Sequence, residues 1–142
     1  YNQALKQIKA EYVDTGKAQF EFRHYPLSFH QNAQISAEAS ECANRQGKFF
    51  EYYNVLFVKG KADGLGLTSP DLKNYASEVG LDMIKFNQCL DSGETKDVVK
   101  ADFDAGQKAG VSGTPTIFIN GKKIVGNQPF EVFKKEIEAA LK

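Results

Sequence analysis

The chain has 142 residues, of which 42% are apolar, 12% aromatic and 25% charged, a globular composition with room for one domain or one domain carrying an insertion. Lys plus Arg and Asp plus Glu number 18 each, so there is no cationic excess to hold a phosphate backbone, which argues against a nucleic-acid binder. No apolar run approaches the roughly 20 residues a membrane helix needs. Two cysteines and two histidines are too few for a disulfide-held miniprotein and stand at no recognised metal spacing.

Tyr1, Leu5, Ile8 and Tyr12 recur at helical spacing and predict a helix that stops at Gly16. No Ser, Thr, Asp or Asn cap precedes the stripe, and the first residue is not Met. A frayed terminal helix is one reading; the other is a sequence that begins inside a longer helix. Residues 18–25 alternate Phe20 and Phe22 with Gln19, Glu21 and Arg23, the period of a strand, ended by Pro26. Ile35, Ala39, Cys42 and Ala43 give one face to a helix over 31–46. Phe49, Phe50, Tyr53, Leu56 and Phe57 give another to a helix ending near Val58. Lys59 to Leu67 holds three glycines and reads as a loop.

Thr68-Ser-Pro-Asp71 is a helix start, with Leu72, Tyr75, Ala76 and Val79 as the buried stripe. Asp82 caps a short helix that turns Met83, Phe86, Cys89 and Leu90 inward, and a longer one runs from Gly93 to about Ala109. Asn120-Gly121 lies between Thr116-Ile-Phe-Ile119 and Lys123-Ile-Val125, a hairpin signal because both turn positions favour positive φ. Phe130, Phe133, Ile137 and Leu141 mark a closing helix.

Gly110-Val-Ser-Gly-Thr-Pro-Thr116 carries the most information. A proline entering a strand removes a ladder donor, and physics alone favours a trans bond there, since only about 5–6% of X–Pro bonds are cis. This run, followed by an apolar strand, Asn-Gly and a helix, resembles the cis-proline half of a thioredoxin fold. The helical block before it makes the chain similar to the DsbA-like thiol–disulfide oxidoreductases. Phe22-Arg-His-Tyr-Pro-Leu27, Glu41-Cys-Ala-Asn-Arg-Gln-Gly-Lys-Phe-Phe50, Phe86-Asn-Gln-Cys-Leu90 and Val125-Gly-Asn-Gln-Pro-Phe130 carry further resemblance. Phe50, Tyr53, Asn54 and Gln31 depart from the residues common in that family.

The resemblance implies an α/β thioredoxin-like fold with an inserted helical subdomain: residues 1–30 and 110–142 as the core, 31–109 as the insertion with its return helix. It also implies that the first core strand and the start of the first helix, with the family's Cys-x-x-Cys centre, lie before Tyr1. On that basis this sequence has no catalytic dithiol. Gly113, Thr114 and Pro115 form the client-binding loop, and the protein acts outside the cytoplasm, introducing disulfides into exported polypeptides with a redox recycling partner. No cofactor, metal or nucleic acid enters the scheme. Without the first strand, segments 18–25 and 116–119 are expected to stay unpaired with each other, and a neighbouring chain could lend a strand. Cys42 and Cys89 are either two buried small hydrophobes or, in an oxidising compartment, a bridge between two helices of the insertion. His24 and His30 read as structural rather than catalytic. The alternatives to an oxidase are a redox-inactive peptide-binding module and a glutathione-using isomerase or transferase of the same fold.

Overall fold

A computed structural model of the chain describes residues 2–61 and 64–142; Tyr1 and two positions of the glycine-rich loop lie outside the described residues. The elements in chain order are α1 (Asn2–Ile8), a π-helical stretch Lys9–Val13, α2 (Ala33–Asn44), α3 (Phe49–Lys59) and α4 (Ser69–Glu78). They continue with α5 (Met83–Ser92), α6 (Lys96–Lys108), β1 (Thr116–Ile119), β2 (Lys122–Val125) and α7 (Phe130–Ala140).

Local chemistry explains most of the boundaries. Before α4, the Asp71 carboxylate accepts from the Thr68 backbone N–H at 3.0 Å and from its hydroxyl at 2.6 Å. These bonds hold the Asp71 carboxyl below the usual aspartate range. Asp82 caps α5 by accepting from the N–H groups of Ile84 and Lys85 at 3.0 and 3.2 Å, satisfying donors that a helix start leaves open. Asn120 and Gly121 take φ of 45° and 87°, and Ile119 pairs with Lys122, so the hairpin closes on two residues.

The chain divides into two compact units: 2–23 with 107–142, and 24–106. The boundaries fall earlier than the sequence reading placed them, because His24 to His30 group with the helical unit. In the helical unit, Ala39, Cys42 and Ala43 of α2, Tyr52 of α3, Leu72 and Ala76 of α4, and Phe86, Cys89 and Leu90 of α5 form one core. Tyr52 is fully buried, and its hydroxyl donates to the Leu72 carbonyl at 2.9 Å, the partner a phenol needs away from water. In the other unit Ala4 and Tyr12 pack with Ile124, Phe133 and Ile137, with Ile8, Ile117 and Ile119 at the margin.

Three expectations need correction. Residues 18–27 form no strand. The burial of 18–24 still alternates, with Phe20, Phe22 and His24 turned inward, but β1 and β2 are the only sheet among the described residues. Period-two patterning alone does not make a strand without a ladder partner. The first helix ends in a π turn, closed by Asp14 N–H donating to the Lys9 carbonyl at 2.8 Å. The closing stripe stops at Ile137, since Leu141 is 49% exposed.

Candidate functional site

The loop between α6 and β1 belongs to the hairpin unit. The Thr114–Pro115 peptide bond is cis. Three contacts fix the loop: the Thr116 hydroxyl donates to the Gly113 carbonyl at 2.7 Å, Gly126 N–H donates to the Pro115 carbonyl at 2.8 Å, and Lys123 Nζ donates to the Gly110 carbonyl at 2.9 Å. The Gly126 bond continues the β1–β2 ladder one step past the Thr116–Val125 pair. Pro115 is half-buried and Thr114 exposed. Among the described residues, the N–H and C=O of Thr114 enter no backbone hydrogen bond. An exposed peptide unit with both groups open is the arrangement that captures an extended peptide by main-chain pairing.

Cys42 and Cys89 lie in the helical unit and are joined to each other, with Cα atoms 5.9 Å apart. The bridge ties the last turn of α2 to the last turn of α5. Among the described residues there is no free cysteine, and no group of three or more His, Cys, Asp or Glu side chains is placed to hold a metal ion.

His24 is 4% exposed, and its Nε2 lies 2.8 Å from Glu41 Oε1. Its backbone N–H donates to Asp102 Oδ2 at 2.9 Å, and Asn44 Nδ2 donates to the second Glu41 oxygen at 3.1 Å. The hydrogen bond from His24, helped by Asn44 and the charges of His24 and Arg45, holds the Glu41 carboxyl below the usual glutamate range despite its burial. Residue-by-residue reading missed this cluster. The signal was available: an inward histidine at the end of an alternating segment requires a buried polar partner. His30, by contrast, is exposed and lies against the Phe29 ring, 4.6 Å between centroids.

A thioredoxin family profile matches residues 1–139. Among curated proteins, the chain is 32% identical to the Na(+)/H(+) antiporter NhaA 3 of Salinispora tropica, over 98% of the chain and 21% of the antiporter. It is also 32% identical to the probable disulfide bond formation protein D of Bacillus anthracis, over 97% of the chain and 64% of that protein. The chain thus spans about a fifth of the one and just under two thirds of the other. Among solved structures, oxidised BdbD from Bacillus subtilis superposes with a TM-score of 0.84 at 26% identity, covering 96% of this chain and 75% of BdbD. A thioredoxin-like oxidoreductase from Silicibacter pomeroyi shares the fold, with a TM-score of 0.79 at 19% identity over 97% of this chain and 77% of its own. Among the described residues, no helix is long and apolar enough to cross a membrane.

Proposed function

The chain belongs to the thioredoxin family, and from that premise we propose that it is the client-binding part of a thiol–disulfide oxidoreductase that introduces disulfides into exported proteins in the cell envelope. One observation carries the reading: the exposed Thr114 peptide unit, open on both sides, at the cis Thr114–Pro115 bond. The likeness to the disulfide bond formation proteins and to BdbD supports it.

On this reading an extended client segment lies along Gly113–Pro115 and bonds to the Thr114 N–H and C=O. A client cysteine is thereby held in line with the exchange centre. A thiolate then attacks a disulfide sulfur, one S–S bond forms as another breaks, and the displaced sulfur leaves as thiolate. Both cysteines of these 142 residues are joined to each other, so the exchange dithiol has to come from outside them. A recycling partner would reoxidise that dithiol. The use of both cysteines in one bridge equally favours a second reading, a redox-inactive module that only captures peptides.

Two measurements test these readings. Titration with an extended peptide carrying Ser in place of Cys should shift the amide resonances of Gly113, Thr114 and Thr116 first; shifts confined to other residues would remove the client-binding role. Thr114→Ala should change the affinity by no more than about twofold, since the main chain makes the bonds. The native polypeptide should then be read about 40 residues upstream of Tyr1, the length of a strand, a helical turn and a leader, and assayed for dithiol oxidation. Cys-x-x-Cys with turnover supports the oxidase; binding without any upstream cysteine supports the capture module.

A further inference from the structure

A cleft of about 250 Å³ in the helical unit is lined by Arg45, Lys85, Gln88 and Glu94 with the two bonded cysteines, Cys42 and Cys89, in its wall. That volume lies just under the roughly 300 Å³ at which enclosed small-molecule sites begin, so a small thiol would sit in it only in part and a folded partner not at all. We propose that the Cys42–Cys89 bridge is a redox-responsive site, attacked at Cys89 by a small anionic thiol that docks in this cleft. The inference is independent of the client-binding reading, because it uses neither the Thr114 loop nor an exchange dithiol.

Three features of the cleft argue for it. The first is asymmetry of cover: both residues are buried, Cys42 at 1% exposure and Cys89 at 6%, so Cys89 is the less covered of the two and is assigned as the sulfur attacked. The second lies behind Cys42. Its sulfur is 3.9 Å from the buried hydroxyl of Thr95, and that hydroxyl donates its one proton to the Glu38 carbonyl at 2.9 Å. Thr95 therefore faces the sulfur with acceptor capacity only. A disulfide has no proton to offer it, whereas a reduced Cys42 thiol has. The third is charge. Arg45 is held by Glu94, pairing with its carboxylate and donating to its carbonyl at 3.3 Å. Lys85, 76% exposed on its side chain, is held among the described residues by Asp82 at 3.7 Å, which leaves it the cation able to steer a carboxylate-bearing thiol.

The step balances without further reagents. The incoming thiolate bonds to Cys89 Sγ and the Cys42–Cys89 bond breaks. Its electron pair goes to Cys42 Sγ, which takes a proton from solvent and donates it in a hydrogen bond to Thr95 Oγ1. A second thiolate attacks the mixed disulfide, releasing the small-molecule disulfide and the Cys89 thiolate. Two small thiols are oxidised and the protein disulfide is reduced. Both sulfurs lie in last turns of helices, where carbonyl ends disfavour a thiolate leaving group. The exchange is accordingly slow, on a scale of minutes to hours, and suits a response to redox conditions rather than turnover.

The test treats the oxidised chain, without denaturant, with reduced glutathione or with cysteamine, a cationic thiol. Free thiols are then alkylated and mapped by mass spectrometry. The expected result is glutathione on Cys89 and alkyl label on Cys42 at early times, giving way to label on both cysteines, with the first step first order in thiol. Lys85→Glu, with its fold checked by circular dichroism, should slow glutathione about threefold and leave cysteamine unchanged or faster. Glutathione on Cys42, a rate independent of thiol concentration, or equal slowing of both thiols by Lys85→Glu would overturn the proposal.

Discussion

His24 buries a ring that can carry charge, and the half-buried Glu41 carboxylate is the partner it needs there. The Glu41 carboxylate accepts from His24 and Asn44, and its pKa is depressed by those bonds. A depressed carboxylate lends stability that is present above its unfolded value of about 4.3 and is lost as pH falls through the folded value. Urea unfolding followed from neutral pH down through about pH 4 should therefore show an acid-side loss that Glu41→Gln makes shallower. Glu41→Ala should cost about 1–3 kcal/mol at neutral pH, because it strands a buried histidine. Gly64 is constrained differently: it takes φ of 75°, and a Cβ built on it would lie 1.8 Å from the Gln31 carbonyl oxygen. Asn32 Nδ2 donates to the Gly64 carbonyl at 3.1 Å, which pins the two loops together. Gly64→Ala should lower stability by at least about 2 kcal/mol, from the backbone conformation and the collision together; a change within about 0.5 kcal/mol would mean that the loops part easily.

The helices and the hairpin were legible because their signals are local. Asp82 stands where an N-cap should, Thr68 and Asp71 stand three apart before Leu72, and Asn120-Gly121 supplies both positive φ values. Asp82→Ala should cost about 1 kcal/mol through the lost cap of α5, measurable as a shift in the urea midpoint with no change in slope. What failed was non-local. Phe20 and Phe22 carry the strand period and turn inward, yet a strand also needs a neighbour to share its hydrogen bonds, and no residue pattern within 18–25 states whether one is present. The π turn at Lys9–Val13 was illegible for a similar reason. The Lys17 and Ala18 N–H groups both donate to the Tyr12 carbonyl, and the Tyr12 hydroxyl donates to Glu138 at 3.2 Å, a residue 126 positions away. The cis bond before Pro115 was legible only through resemblance, since composition and spacing alone favoured the commoner isomer there.

At the scale of the molecule, the chain carries the thioredoxin-like fold of the DsbA-like oxidoreductases, with its two units cored separately. The Cys42–Cys89 bridge spans 47 positions of the helical unit. Closing a loop of that length restricts the unfolded chain by about 4 kcal/mol in the chain-entropy treatment. Cys42→Ala/Cys89→Ala should lower the stability of the helical unit by up to that amount, read from urea melts of the oxidised and doubly substituted chains. The division into units also bears on how the polypeptide emerges during translation. The helical unit is one uninterrupted stretch, 24–106, and the core formed by α2, α3, α4 and α5 comes from within it. The hairpin unit is assembled from both flanks: Ala4, Ile8 and Tyr12 wait for Ile124, Phe133 and Ile137, which leave the ribosome more than a hundred residues later. Through that interval the apolar stripe of the first helix is without its Ile124, Phe133 and Ile137 partners, so this unit closes only once the end of the chain has been made.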